Sequence, residues 1–79
     1  MKQPLEDIVA DIICETLAVK KSKVLPECDL VTDLGADPLD AVEILMFIEE
    51  RFNLHIPEED SERLHTVGDI IEYLKSRCA

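Results

Sequence analysis

Leu5, Ile8, Val9, Ile12 and Ile13 recur at the spacing that lines one face of an α-helix with apolar side chains. The pattern predicts a first helix from about Pro4 to Leu17. Pro4 suits a first helical position, where a missing N–H costs nothing. Glu6, Asp7, Asp11 and Glu15 fall opposite the stripe, part helix-start charge and part solvated face. Periodicity then lapses over residues 18–36, a stretch punctuated by Pro26 and Gly35. A connection this long is unusual in a compact domain. Such a segment is normally functional or pinned by its own apolar residues, here Val24, Leu25, Leu30, Val31 and Leu34.

Asp37-Pro38 predicts the start of a second helix that runs to about Phe52. A residue before proline is driven out of the helical region, which is where an N-cap belongs. Asp is among the best capping side chains. Pro38 then takes the first helical position, where its lack of an N–H is harmless. Ile44-Leu45-Met46-Phe47-Ile48 is an unbroken apolar run, and consecutive positions circle the whole helix. One core face cannot hide them all. Either this helix is central and packs on two neighbours, or part of the run faces a partner or a cavity. Leu39 and Met46 lie two turns apart on one face, bordered by Asp40, Glu43 and Glu50, which makes a candidate exposed apolar strip with an acidic margin.

Ile56-Pro57-Glu58-Glu59-Asp60 predicts a short helix start with acids at its positive end. Thr66-Val67-Gly68-Asp69 has capping-box spacing and introduces a final helix with Val67, Ile70, Ile71 and Leu74 as its stripe. Lys75 and Arg77 near its end suit the helix dipole. No segment alternates as a strand would. The expected fold is all-α, a four-helix bundle of three main helices and one short helix with a long first loop, in a single domain over residues 1–79.

The net charge of −10 disfavours nucleic acid and anionic membrane surfaces as partners, since phosphate binding needs a basic patch. Residues 37–62 hold nine of the 18 acids and a single basic residue, Arg51. Lys20, Lys21 and Lys23 cluster elsewhere. A basic protein surface is the natural partner for such a distribution, although a solvated acidic face with no partner fits the sign of the charge equally well. No apolar run approaches the about 18 residues of a membrane span. The acids within MKQPLEDIVADII argue against a signal peptide, so the expected location is cytoplasmic. Cys14, Cys28 and Cys78, odd in number and without a CxxC, read as reduced thiols. His55 and His65 lack the close spacing of a metal site. The acidic stretch Asp29–Asp37 fails the calcium-loop template, which would put Val31 or Gly35 at a ligand position and Leu34 or Pro38 where glycine is required.

Asp33-Leu34-Gly35-Ala36-Asp37-Pro38-Leu39-Asp40, then Val42-Glu43, closely resembles the acyl carrier protein family of the discrete bacterial type that serves fatty acid synthesis. Glu49-Glu50-Arg51-Phe52, Ile56-Pro57-Glu58-Glu59 and Thr66-Val67-Gly68-Asp69 extend the likeness in order, so that it covers about residues 5–79. In that family a serine between Asp and Leu at the start of the second helix is the nucleophile that receives 4′-phosphopantetheine from coenzyme A. The thiol of that arm then carries the acyl chain. Such chemistry needs an exposed oxygen nucleophile beside a helix N-terminus. Here the tripeptide is Asp37-Pro38-Leu39, and Pro38 has no hydroxyl. The cofactor position is chemically vacant, and no cofactor is expected. Thr32, Ser61, Thr66 and Cys28 lie outside the Asp-x-Leu context.

The resemblance further implies that Asp37, Asp40, Glu43, Glu49 and Glu50 form an acidic docking surface for basic patches of fatty acid or polyketide synthase enzymes. It assigns Leu39, Met46 and Ile56 as docking contacts on that surface, and Ile56 with neighbouring residues of the short helix also to the lip of the acyl-chain cavity. Three functions remain open. The first is a monomeric carrier-like module that docks but carries nothing. The second is an ordinary carrier whose serine is replaced in this chain. The third is an acidic helical interaction protein unrelated to lipid synthesis. None makes the chain an enzyme: it has no triad, phosphate-cradling glycine loop or metal cluster.

Overall fold

The computed structural model describes residues 4–77. Four helices follow in order: α1 (Leu5–Leu17), α2 (Pro38–Phe52), α3 (Glu58–Ser61) and α4 (Val67–Arg77), with a single 3-10 turn at Lys21–Lys23. The expected all-α architecture is present, and no strand forms among the described residues. Cys78 lies outside them.

α1 packs against both α2 and α4. Its stripe works as expected at Val9 and Ile13, which are fully buried, while Leu5 and Ile12 are half-buried against the same core. Pro4 sits one position earlier than expected, as the N-cap with extended backbone. The helix ends at Ala18 in the left-handed conformation (φ 56°), from which the Val19 N–H reaches back to the Cys14 carbonyl at 3.2 Å. α4 buries Val67, Ile70, Ile71 and Leu74, the whole predicted stripe.

The run at 44–48 divides by helical geometry. Ile44 and Ile48, one turn apart, are fully buried; Met46 and Phe47 are exposed; Leu45 is half-buried at the edge of the core. α2 is therefore buried along one face, with Leu45 at its edge, and Met46 and Phe47 point outward.

The long connection is pinned, but not by every residue expected. Val24 and Leu30 are buried and Leu34 is half-buried, whereas Leu25 and Val31 are exposed at 45% and 52%. Ala36 takes up the burial in their place. Residues 29–36 close on themselves. The Asp29 carboxylate accepts from the N–H groups of Val31 (2.9 Å) and Thr32 (3.0 Å), and Asp33 accepts from the Asp29 N–H at 2.7 Å. The Thr32 and Val31 N–H bonds hold the Asp29 carboxyl below its ordinary pKa. Gly35, at φ 76°, makes the left-handed turn that returns the Ala36 N–H to the Leu30 carbonyl at 2.8 Å. The acidic stretch is thus a self-bonded turn.

That turn is tied to the junction between α3 and α4. The Leu30 N–H donates to the His65 carbonyl (2.9 Å), the Val67 N–H to Cys28 (3.0 Å) and the Gly68 N–H to Pro26 (2.8 Å). Asp29 and Thr66 form one isolated antiparallel bridge within this seam. The Thr66 box caps α4 as predicted. Its hydroxyl accepts from the Asp69 N–H (3.0 Å), and the Asp69 carboxylate accepts from the N–H groups of Thr66 and His65, both at 3.1 Å. The Thr66 N–H is the main cause that lowers the Asp69 pKa.

Gly68 is required by this seam. A Cβ built there would lie 2.9 Å from the Pro26 carbonyl oxygen, the same atom that accepts its hydrogen bond. Gly68→Ala improves helix propensity by up to about 1 kcal/mol, but only in a first turn, where the gain is smallest. Displacing the Pro26 backbone loses a hydrogen bond and disturbs its neighbours. We expect Gly68→Ala to lower unfolding free energy by roughly 1–2 kcal/mol in urea titration. A gain in stability would mean that the seam yields freely.

Candidate functional site

α2 begins with a reciprocal capping box. The Asp40 N–H donates to the Asp37 carboxylate at 2.8 Å, and the Asp37 N–H donates back to the Asp40 carboxylate at 3.3 Å. Pro38 occupies the first helical position between them and is exposed. The local structure is therefore complete without any side-chain oxygen at residue 38. Asp37 as cap was legible in the sequence. The returning bond from Asp40 gives that residue a structural task beside the docking role implied for it.

Leu39 is 67% exposed and Met46 53%, so the two ends of the expected apolar strip do face solvent. Val42, at 53%, completes it, one turn beyond Leu39 and one turn before Met46. Val42 is not part of the strip expected from the sequence, although its spacing from Leu39 and Met46 places it on the same face. Among the bordering acids Asp37 and Glu50 are exposed, and Asp40 and Glu43 are half-buried. Glu49 is differently placed. Its carboxylate accepts from the Ile56 N–H at 2.7 Å and lies 3.3 Å from His55 Nδ1, which closes the turn after α2. Ile56 is buried at 6% exposure and does not share the exposed strip.

Two adjoining pockets lie between α2 and α3. One, of about 210 Å3, is lined by Leu30, Ala41, Val42, Leu45 and Leu64, with Asp29, Glu62 and His65 among its polar residues. The other, of about 160 Å3, lies between Val42, Leu45, Met46 and Glu49 of α2 and Ile56 and Ser61. Ile56 thus stands at the wall of a small cleft, and the exposed strip forms its outer rim.

The hydroxyls are placed elsewhere. Thr16 donates to the Ile12 carbonyl (2.8 Å), Ser61 to Glu58 (2.8 Å) and Ser76 to Tyr73 (2.8 Å), and Thr66 serves as the α4 cap. Thr32 lies in the self-bonded turn and Ser22 in the 3-10 turn. None of them stands at the start of α2. No group of three or more His, Cys, Asp and Glu side chains arranged to hold a metal ion occurs among the described residues.

The family model described as "Phosphopantetheine attachment site" matches residues 7–74. Acyl carrier protein from Helicobacter pylori is 49% identical over 70 residues, which span 89% of this chain and 88% of that protein. The chain belongs to the acyl carrier protein family. A Bdellovibrio bacteriovorus acyl carrier protein agrees with it, at 51% identity over 69 residues, 87% of this chain and 88% of its own. A solved Mycobacterium tuberculosis structure, described as a candidate acyl carrier protein, shares the fold with a TM-score of 0.88. It covers 94% of this chain and 99% of its own at 24% identity. The acyl carrier fold expected from the sequence is therefore present, helix by helix.

The capping geometry separates structure from surface at this site. Asp37→Ala removes the acceptor of a first-turn N–H and should cost about 1 kcal/mol of stability. Leu39→Ala, at an exposed position, should change it by less than about 0.5 kcal/mol. Paired thermal and urea unfolding of the two variants checks the contrast. Equal losses would mean that Leu39 is held by packing and is not a free surface group.

Proposed function

We propose that the chain is a docking module of acyl-carrier type that presents acidic α2 to basic surfaces of fatty acid or polyketide synthase enzymes and carries no acyl chain itself. The observation that carries this reading is Pro38. It stands exposed at the first position of α2, between Asp37 and Leu39, where attachment of a phosphopantetheine arm needs a hydroxyl. A pyrrolidine ring offers no nucleophile, so the residues present do not fit the group. The remaining hydroxyls start no helix in an Asp-x-Leu setting. The module works by association, as a monomer in the cytoplasm, and catalyses nothing. Among the described residues no helix is long and apolar enough to cross a membrane.

The docking surface joins Leu39, Val42 and Met46 to the carboxylates of Asp37, Glu43 and Glu50. Apolar contacts of this kind supply affinity, and the charges supply steering and register. Asp40 and Glu49 add to the field, but their carboxylates are also bonded within the fold.

A second reading is an ordinary carrier whose serine is replaced in this chain. It is favoured by identities near one half to acyl carrier proteins, together with an intact capping box on both sides of residue 38. Intact mass of the protein from its native source, with fragmentation across residue 38, separates the two. An unmodified chain with proline supports the first; an added phosphopantetheine on serine supports the second.

Pro38→Ser should keep the fold, because the cap bonds use Asp37 and Asp40. Its stability should change by no more than about 1 kcal/mol. Incubated with coenzyme A and a broad-specificity phosphopantetheinyl transferase, it should gain one arm by mass, while the proline chain gains none. A folded serine variant that stays unmodified would sink the claim that the site is otherwise complete. Glu43→Lys with Glu50→Lys should weaken binding to a fatty acid synthase enzyme by about tenfold at low ionic strength, and by less as salt rises. Affinity unchanged at low salt would exclude this face as the interface.

A further inference from the structure

Two side chains of α4 reach α3 and the turn before it. The Tyr73 hydroxyl donates to the Asp60 carboxylate at 2.7 Å. Arg77 Nη1 donates to the same Tyr73 oxygen at 2.6 Å, and Arg77 Nη2 reaches the His55 carbonyl at 3.4 Å, a longer and weaker contact. The guanidinium carbon lies 5.5 Å from the centre of the Tyr73 ring. Two residues of the last turns of α4 thus hold both the middle of α3 and the turn that leads into it.

α3 has little else to hold it. It is a four-residue helix with no buried residue of its own and no side-chain N-cap bond. One isolated turn is far below the length at which a helix is stable in water. Neighbouring anchors are Ile56, buried with its N–H on Glu49, and half-buried Leu64. Among the described residues, the Tyr73 bond to Asp60 is the side-chain hydrogen bond that reaches α3 itself from another helix. Asp60 faces α4 through this bond, while the next residue, Ser61, lines both pockets between α2 and α3.

We propose that Tyr73, supported by Arg77, is a positioning residue for the cleft between α2 and α3: its grip on Asp60 fixes the α3 wall and so sets how far the apolar side chains beneath are open to a ligand. This role of Tyr73 is independent of whether a group can be attached at residue 38. Ala41, Val42 and Leu45 form the α2 wall, which belongs to a helix packed on the core. Ile56, Ser61 and Leu64 form the α3 side, which is held at its edges. With one wall rigid and the other held by a few polar contacts, access to the cleft changes through the α3 wall.

The test is amide hydrogen exchange on the full chain, read as protection factors. In Tyr73→Phe the amides of Asp60, Ser61 and Glu62 should lose roughly three- to tenfold of their protection, the loss of about one net hydrogen bond, while buried amides of α1 and α2 keep theirs. Asp60→Ala should do the same. Asp60→Asn, which keeps an acceptor for the tyrosine hydroxyl, should retain most of the protection. Binding of the neutral apolar dye Nile red should increase in Tyr73→Phe and in Asp60→Ala but not in Asp60→Asn. Unchanged α3 protection in Tyr73→Phe, or an equal loss throughout all helices, overturns the proposal. So does an Asn variant as loose as the Ala variant. Loosened α3 with unchanged dye binding removes the link to the cleft.

Discussion

The seam between the first loop and the start of α4 is the constraint on which the rest of this structure depends. The long connection between α1 and α2, regular only at the 3-10 turn of Lys21–Lys23, is entropically costly to order, at about 1–2 kcal/mol per residue for backbone alone. A core this small has little surplus to offset that cost. The solution is local closure followed by one long-range tie. Asp29, Asp33 and Gly35 fold the segment onto itself, and the N–H and carbonyl groups of 26–30 then bond to those of 65–68. Burial of Val24, Leu30 and Ala36 beneath the tie supplies the apolar part. Because the loop ends at Asp37, this anchoring also fixes where α2 starts and which way its first turn points.

The start of α2 is held by backbone and carboxylate groups alone. Asp37 and Asp40 satisfy each other's N–H groups, and proline suits the position between them. Residue 38 contributes backbone geometry but no side-chain bond to this cap, which rests on Asp37 and Asp40. The chain shares about half of its residues with acyl carrier proteins over most of its length and has Pro38 at this helix start.

α3 is the element with the least support, and it forms one side of the cleft. Its placement relies on polar contacts from α2 and α4, with Glu49 on the Ile56 N–H and Tyr73 on Asp60. Contacts of this kind are individually modest and partly open to solvent, unlike the Ile13, Ile44, Ile48 and Leu74 packing that joins the longer helices. Rigidity and adaptability are therefore divided between the two walls of one cleft.

The sequence by itself determined the features that local rules govern. The stripe of α4 and the centre of that of α1, the Asp37 and Thr66 caps and the proline at the start of α2 all follow from neighbours within a few residues. So does the limit on how many of residues 44–48 one face can bury. Tertiary structure alone decided which loop side chains turn inward. Leu25 and Leu30 look alike in the chain, yet only Leu30 meets the α3–α4 junction with its backbone and is carried into the core. Gly68 could not be distinguished from a helix-weakening glycine until the Pro26 carbonyl was found where its Cβ would be. Glu49 and Tyr73 likewise gained their partners from elements far away in sequence. Periodicity and capping express bonds that close within one or two turns, whereas these contacts depend on how the finished helices and loops come together.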